Sequence, residues 1–315
     1  MPENPNLHTL YTQIIQSVQS ATSRDLDVQG YTLPAESLDL DKRPVDATFK
    51  IIVRDRETDV GYFILCSNPQ APELVALNVS RAVHSRQALP EPLGSVVQIP
   101  WAEGRCDLMS WAVFSLKRPL ASHTWSWRVQ RTLLTPYVLR WLREITRVSC
   151  RELHESEELL QIERSLQDLA QDEDLEHSLR QAARTSLHRL QTGAWKPRSI
   201  LAHNDLWKGN ILLPKDMGSF FRGPPFFVID WAGSELRGMP FFDLAKFCTS
   251  FQVPMWVRYR AVRTHCSLLH AELQDGQSYL VAALARIGAH LDAFPKSAFV
   301  SMAQDIFCRF YSFEH

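Results

Sequence analysis

Hydrophobic positions in the first part of the chain predict one helix followed by a pair of strands. The first apolar residues recur at three- and four-residue steps, a spacing typical of an amphipathic helix. They are Leu7, Leu10, Ile14 and Val18. Two short apolar segments, residues 48–54 and 62–66, then lie on either side of a polar stretch that contains Gly61. This arrangement predicts a β-hairpin.

A second helix and a further strand pair are predicted next. The helix runs from Glu73 to about Leu89. The strand pair covers residues 94–99 and 110–115, with the turn placed at residues 103–105. This alternation predicts a small antiparallel sheet that carries one helix.

Helical periodicity dominates after about Lys117 and again from Asp243 to the end. Four apolar stripes recur at helical spacing, and we interpret each as a buried core face rather than as a partner-binding surface. The stripes are Leu159, Ile162, Leu166 and Leu169; Leu179, Ala183, Leu187 and Leu190; Val281, Leu284, Ile287 and Leu291; and Phe299, Met302, Ile306 and Phe310.

The change from mixed to helical patterning predicts an α+β chain with two lobes. We expect a small N-terminal lobe over residues 1–116, built from the antiparallel sheet and its helix. Residues 117–315 are expected to form a larger, mainly helical C-terminal lobe. Two short strands, near residues 199–202 and 226–229, interrupt the helical pattern within the second lobe.

Composition limits the classes of partner. The chain has 315 residues, 45% of them hydrophobic, which is compatible with about two domains. It carries 34 basic and 35 acidic residues, so no overall field draws it to nucleic acid or to an anionic membrane. We therefore predict a small-molecule partner, with no nucleic acid and no membrane, and leave the oligomeric state open.

The cysteines and the first residues indicate a compartment. The six cysteines are widely spaced and contain no Cys-x-x-Cys pair, which argues against a zinc site and favours a reducing environment. Residues 1–6 lack the basic and apolar segments of a signal peptide, and no apolar run approaches the length of a membrane span. The prediction is a soluble, cytoplasmic protein.

The candidate chemistry lies in residues 203–210, His-Asn-Asp-Leu-Trp-Lys-Gly-Asn, and in a later strand that ends on Asp230. Phosphoryl transfer needs a carboxylate that orients an attacking hydroxyl, together with oxygen ligands that hold Mg²⁺ across the nucleotide phosphates. In an H-x-D-x-x-x-x-N pattern the Asp reaches the substrate and the Asn turns back to a metal, while a second metal-binding carboxylate follows the next strand. Asp205, Asn210 and Asp230 occupy these three places.

These residues carry a resemblance to a known family. The segments 203–212, 228–231 and 238–245 are similar to the aminoglycoside phosphotransferase and choline kinase group of small-molecule kinases. The Leu-Trp-x-Gly-Asn portion of the loop also resembles fructosamine kinases. The resemblance implies a protein-kinase-like two-lobed fold, the use of ATP with Mg²⁺, and phosphorylation of a small-molecule hydroxyl. The matching motifs lie in residues 199–246, so the substrate is not inherited with the fold.

Roles follow for the residues of the motif. Asp205 is expected to act as the catalytic base, and Asn210 and Asp230 as ligands of Mg²⁺. His203 is expected to orient the loop by hydrogen bonds. Asp243 follows Pro240 at a predicted helix start, where it is expected to cap the helix and, as a second role, to support the catalytic loop. Lys208 is assigned to the nucleotide phosphates. Contact with an acidic substrate, or with solvent alone, is the alternative.

The N-terminal lobe departs from the family pattern. It contains no G-x-G-x-x-G, and at the place of the usual strand lysine we align Cys66. Lys50 and Arg54 project from one face of the neighbouring strand, because side chains alternate along a strand, and either is a candidate for the missing charge. We assign Lys50 to the nucleotide. Glu73, at the start of the helix, is a candidate partner for such a cation.

The motifs therefore predict an ATP- and Mg²⁺-dependent phosphotransferase, with nucleotide near residues 114–120 and a sugar, amino alcohol or aminoglycoside-like acceptor. Trp207, Trp231 and Trp256 are candidate surfaces for stacking on the acceptor. The alternative is a pseudokinase, weak or inactive, that binds nucleotide or a protein. A protein kinase is less favoured because Asp-Phe-Gly and Ala-Pro-Glu are missing. The identity of the acceptor and the choice of ATP or GTP stay open.

Overall fold

The first part of the chain forms an antiparallel sheet between two helices. The computed structural model describes residues 7–32, 48–107, 109–154, 156–215, 223–291 and 295–311. Within them five strands pair in the order β1-β2-β3-β5-β4, and every neighbouring pair is antiparallel. The elements are α1 (Leu7–Thr22), β1 (Leu26–Thr32), β2 (Phe49–Asp55), β3 (Gly61–Cys66), α2 (Leu74–Ala88), β4 (Ala102–Cys106) and β5 (Met109–Ser115).

Each face of this sheet is covered by one helix, because side chains alternate across a strand. Helix α1 packs its apolar face, which includes Ile14 and Val18, on the side chains of Ile51, Val53 and Ile64. Helix α2 packs on the opposite face through Val75 and Val79, against Ala112 and Leu65. The predicted first helix, the hairpin and the second helix are all observed.

Of the second predicted strand pair, the strand predicted at residues 94–99 is wrong. Residues 94–96 form a turn of 3₁₀-helix, and residues 103–105 lie inside β4 rather than in a turn. Gly104 is paired with Trp111 of β5, and a Cβ at Gly104 would lie 2.5 Å from the indole ring. Gly104 therefore makes room for a buried tryptophan within a strand. In the sequence, a glycine with this role cannot be distinguished from a glycine in a turn.

The rest of the chain is mainly helical. Its helices are α3 (Thr124–Ser149), α4 (Ser156–Gln171), α5 (His177–Gln191), α6 (Phe242–Ser250), α7 (Met255–Leu268), α8 (Leu273–Ala289) and α9 (Lys296–Tyr311). Two small sheets lie among them. One has the order β10-β9-β6, from Phe227–Val228, Ile211–Leu213 and Arg118–Pro119; the other has the order β11-β8-β7, from Glu235–Gly238, Arg198–Ala202 and Arg151–Glu152.

The predicted apolar stripes form the core of this helical part. Ile162, Leu166 and Leu169 of α4 are buried in the same cluster as the apolar faces of α5, α8 and α9. The architecture is therefore the predicted α+β arrangement, with a small antiparallel sheet and its helices followed by a larger helical part. In the described ranges, every helix is too short or too polar to cross a membrane.

Two leucines of α4 offer a matched test of this core. Leu166→Ala, at a fully buried position, is expected to lower the free energy of unfolding by about 2–5 kcal/mol, because a cavity remains where the side chain packed. Leu160→Ala, on the same helix at a side chain that is 48% exposed, is expected to change it by less than about 1 kcal/mol. Urea unfolding of both variants measures the difference, and equal losses would contradict the assigned packing.

Candidate active site

The loop after β8 is held by buried hydrogen bonds. His203 follows the strand directly, and its backbone N–H donates to Asp243 Oδ2 at 2.7 Å. The imidazole Nδ1 accepts the backbone N–H of Asp205 at 3.2 Å, so Nε2 carries the proton and donates to the carbonyl of Ile229 at 3.0 Å. His203 thus ties the loop to the strand that leads to Asp230.

Asp243 holds the same loop from the other side. It is buried in the first turn of α6, and its Oδ1 lies 3.4 Å from the backbone N–H of Leu206. Burial raises the pKa of this carboxyl, while the N–H groups of His203 and Leu206 oppose the rise by donating to the charged form. No side-chain cap is formed at the start of α6. The predicted capping role of Asp243 is therefore wrong, and its oxygens bind the loop instead.

Asp205 and Asn210 meet across the loop. Asn210 Nδ2 donates to the Asp205 carboxylate at 2.7 Å and to the Asp205 carbonyl at 2.9 Å. The amide nitrogen is therefore committed to Asp205. Asn210 Oδ1 has no hydrogen bond within the described part of the chain, and this oxygen is the atom that a metal ion would bind. The Asp205 side chain keeps 36% of its surface exposed, so a substrate has access to it.

A lysine that the sequence analysis missed completes the surroundings of Asp205. Lys246 lies on α6, one turn after Asp243, and its ammonium group forms an ion pair with Asp205 Oδ1. The lysine is part-buried and also lies 5.6 Å from the ring of Phe242. Its only signal in the sequence is its position three residues after Asp243, on the helix that supports the loop.

Asp230 faces the first part of the chain. It adopts a positive φ of 64°, so the backbone turns sharply after the strand. Asn78 of α2 donates its Nδ2 to Asp230 Oδ1 at 3.3 Å and accepts the backbone N–H of Trp231 at 2.9 Å. The Asp230 side chain is solvent-accessible but crowded by protein atoms. This loss of hydration raises its pKa, and the charge of Asp205 raises it further.

One face of α2 fixes the whole segment around Asp230. Asn78 is followed at helical spacing by Arg81, whose guanidinium donates to the carbonyl of Ala232, and by Ser85, whose hydroxyl lies 3.4 Å from that of Ser234. These three polar contacts join residues about 150 positions apart in sequence. Helix α2 therefore positions the carboxylate of Asp230 directly, a role that the sequence analysis did not assign to it.

The alignment of Cys66 with the missing lysine is wrong. Cys66 lies on the sheet face beneath α1, where burial raises its thiol pKa to about 12. Leu65, not Cys66, is on the face of α2, and it is directly paired with Lys50 of β2. The positive charge of Lys50 partly opposes the rise in the pKa of Asp230. Glu73 pairs with Arg105 at 2.6 Å and not with Lys50.

The tryptophans divide into buried and exposed sets. Trp231 is fully buried against His203, with ring centroids 4.6 Å apart, so the predicted stacking of an acceptor on Trp231 is wrong. Trp207 and Trp256 are exposed, at 39% and 71% of their surface. Lys208 is exposed, and its ammonium group lies 5.8 Å from the ring centroid of Trp127 on α3.

The donor set fits Mg²⁺ better than a transition metal. The described residues contain no group of three or more His, Cys, Asp or Glu placed to hold a metal ion. A Mg²⁺ ion commonly takes only one or two protein oxygens and completes its shell with phosphates and water. Asp230 and Asn210 Oδ1 offer such a pair of oxygens.

Part of the chain matches a known family model. Residues 127–279, just under half of the chain, match the family model described as the phosphotransferase enzyme family. No curated protein sequence gives a significant match. This match over residues 127–279 confirms the predicted resemblance to the aminoglycoside phosphotransferase and choline kinase group.

Solved structures show the same fold at low sequence identity. One is a protein from Haemophilus somnus 129PT that is named as a fructosamine-3-kinase. It has 10% sequence identity and a TM-score of 0.54, and the alignment covers 98% of this chain and 100% of that protein. Ethanolamine kinase from Plasmodium vivax has 12% identity and a TM-score of 0.53, over 98% of this chain and 89% of its own. The fold is protein-kinase-like, as predicted, and the family match supports a phosphotransferase.

Replacing Lys246 is expected to impair transfer. Lys246→Met should lower kcat about ten- to hundredfold with little change in the KM for ATP, since a hydrogen bond to a charged group contributes about 1.5–3 kcal/mol. Lys246→Arg should recover most of the rate because it keeps the charge. Steady-state kinetics measure both variants beside Lys296→Met, which removes a lysine paired with Asp172 and Asp174 elsewhere. An unchanged kcat in Lys246→Met would contradict the role of the ion pair.

Proposed function

We propose that the protein is an ATP- and Mg²⁺-dependent phosphotransferase that acts on a hydroxyl group of a small molecule. The observation that carries the proposal is the convergence of three side chains. Asn210 Nδ2 lies 2.7 Å from the Asp205 carboxylate, and the Asn210 carbonyl accepts the backbone N–H of Ile229, the residue before Asp230, at 3.1 Å. A base and two oxygen ligands at one place are what phosphoryl transfer requires.

The nucleotide is placed between the sheet and the helical part, near residues 114–120. Asp230 and Asn210 would hold Mg²⁺, which when bound neutralises the phosphate charge that develops during transfer. Lys50 shares the sheet face of Leu65, toward α2, and we assign its ammonium group to the phosphates. It takes the place of a lysine on β3, where the chain has Leu65.

The acceptor reaches Asp205 from the side of α3 and α6. Asp205 orients the acceptor hydroxyl and receives its proton, while the hydroxyl oxygen forms a bond to the γ-phosphorus. The bond from that phosphorus to the bridging oxygen breaks, and ADP leaves with the electron pair. The acceptor class comprises sugars, amino alcohols and aminoglycoside-like molecules. Catalysis consists mainly of alignment and of charge stabilisation.

A pseudokinase is the second candidate, and one observation favours it. The face of β3 toward α2 carries Leu65 instead of a lysine, so the nucleotide phosphates lack one cation that the family normally provides on that strand. The presence of Asp205, Asn210 and Asp230 together favours the active enzyme. Activity measurements separate the two candidates.

Calorimetric titration of ATP into the purified protein, with and without Mg²⁺, tests the proposal first. Metal-dependent binding is expected, followed by transfer of the γ-phosphoryl group to an acceptor hydroxyl, observed as a phosphomonoester by ³¹P NMR. Absence of nucleotide binding in the folded protein would overturn the proposal. Metal-dependent binding with no transfer to any cationic, neutral or anionic small-molecule hydroxyl would favour the pseudokinase.

A further inference from the structure

Positive charge is concentrated in two stretches of the helical part. Residues 117–143, from β6 into α3, contain six cationic residues and no Asp or Glu; they are Lys117, Arg118, Arg128, Arg131, Arg140 and Arg143. Residues 244–271, over most of α6 and all of α7, contain four and again no Asp or Glu; they are Lys246, Arg258, Arg260 and Arg263. The whole chain is balanced, with 34 basic and 35 acidic residues, so this segregation is local.

The two stretches meet beside the catalytic loop. The backbone N–H of Lys208 donates to Ser250 Oγ at the end of α6, at 3.2 Å. One turn of α3 beyond Trp127, Arg131 donates to Gln252 Oε1 at 2.9 Å. The rings of Trp127 and Phe251 also pack, with centroids 5.1 Å apart. Lys208 and Arg131 therefore lie close to each other where α3 meets the end of α6, beside the loop that carries Asp205.

Three cations beside the loop have neutral partners in the described part of the chain. Arg131 bonds the amide of Gln252, and the guanidinium of Arg128 lies 5.3 Å from the ring centroid of Trp125. Lys208 contacts the ring of Trp127. By contrast, Arg143 farther along α3 pairs with Glu144 at 2.8 Å. Cations without a carboxylate at the mouth of a site raise the local concentration of anionic ligands.

A cationic acceptor finds few favourable groups here. Ammonium groups are recognised by carboxylates or by the faces of aromatic rings. The faces of Trp125 and Trp127 already carry cations of the chain itself, the exposed ring of Trp207 lies against Gly209, and Asp205 is paired with Lys246. Asp243 is buried. An amino alcohol or an aminoglycoside would therefore meet like charge on this side of the loop.

We propose that the acceptor is an anion, a hydroxylated small molecule that carries a carboxylate or phosphate group. Lys208 and Arg131 bind the charged group, and the free hydroxyl faces Asp205. This inference depends on the proposed function. It narrows the acceptor to anionic hydroxyl compounds, such as acidic or phosphorylated sugars, and excludes amino alcohols and aminoglycosides. The hydroxyl proton passes to Asp205, the hydroxyl oxygen bonds the γ-phosphorus, and ADP leaves, as in the proposed reaction.

Ion-exchange fractionation of natural metabolites tests whether the acceptor molecule is an anion. A protein-free metabolite extract of the source cells is separated on anion- and cation-exchange resins at pH 7, and each fraction is incubated with the full-length protein, Mg²⁺ and radiolabelled ATP. Acceptor activity is expected in the fraction retained by the anion exchanger. Activity retained by the cation exchanger, or retained by neither resin, would overturn the proposal. Absence of transfer with the unfractionated extract would overturn the proposed function itself.

Charge-removing variants test the assigned residues with the active fraction. Lys208→Gln and Arg131→Gln are expected to raise the KM for that fraction about tenfold or more, with the KM for ATP unchanged. Arg143→Gln is the matched control on α3 and should leave both constants unchanged. Circular dichroism confirms that each variant is folded. An unchanged acceptor KM in the folded Lys208→Gln and Arg131→Gln variants would overturn the assignment.

Discussion

Replacing Asp205 by Asn is expected to slow phosphoryl transfer by about 10²–10⁴-fold, the usual contribution of a positioned general base. Asparagine has the same size as aspartate but cannot accept the proton of the acceptor hydroxyl. It also removes the negative charge that Lys246 and Asn210 now contact. The chemical step is therefore expected to fail while the site keeps its shape.

Retention of nucleotide binding is the control for this prediction. The contacts that hold the loop come from the backbone N–H of Asp205 to His203 and from its carbonyl to Asn210, and both survive the substitution. Calorimetry should therefore give nearly the same affinity for ATP with Mg²⁺. Asp168→Asn, at an exposed position on α4, should leave the rate unchanged. A rate within about tenfold of the wild type in Asp205→Asn would contradict the role of the base.

Replacing Asp230 by Asn is expected to weaken metal-dependent binding of ATP more than about 100-fold. The loss of a residue that only orients a metal ligand typically costs 10- to 100-fold in metal affinity, and the loss of a charged ligand should exceed it. The amide oxygen of Asn can keep the contact with Asn78 Nδ2, so the local fold is expected to persist. Titration of ATP with and without Mg²⁺ measures the effect, and unchanged metal dependence would exclude Asp230 as a ligand.

Asn78→Ala is expected to weaken metal-dependent ATP binding less than Asp230→Asn does. Asn78 contacts both the carboxylate of Asp230 and the backbone N–H of Trp231, so its removal should loosen the ligand without deleting it. We expect a loss of about 10- to 100-fold in metal-dependent affinity for ATP. Ser85→Ala, on the same face of α2, removes only a long contact to Ser234 and should have a smaller effect. Equal losses in both variants would indicate general damage to α2 instead.

The parts predicted correctly are those in which local pattern and structure coincide. The β2–β3 hairpin, helices α1 and α2 and the stripes of α4 and α8 were visible because apolar periodicity reflects which face of an element is buried. The strand pair near residue 100 was not predicted correctly. Gly104 resembles a turn residue in the sequence, but it serves a strand in which Trp111 needs the space.

The loop at residues 203–210 could be identified for a similar reason, since Asp205 and Asn210 lie five residues apart in one motif; its catalytic role stays a prediction. Lys246, Asn78 and the orientation of Cys66 were not predictable in this way. Lys246 reaches Asp205 across 41 positions, and Asn78 reaches Asp230 across 152. Such contacts depend on how helices pack against loops, and neither composition nor periodicity records that packing.

The amino-acid sequence by itself determined the first hairpin, the apolar stripes of the helices, the α+β class and the motif at residues 203–210, because each depends on short-range spacing. Only the tertiary structure decided which side chains surround that motif. In the folded chain Trp231 is buried and Cys66 lies beneath α1. Leu65 is paired with Lys50, and Lys246 forms an ion pair with Asp205. The physical reason is that burial and the pairing of charges arise between elements that are distant in sequence and become neighbours only when the chain has folded.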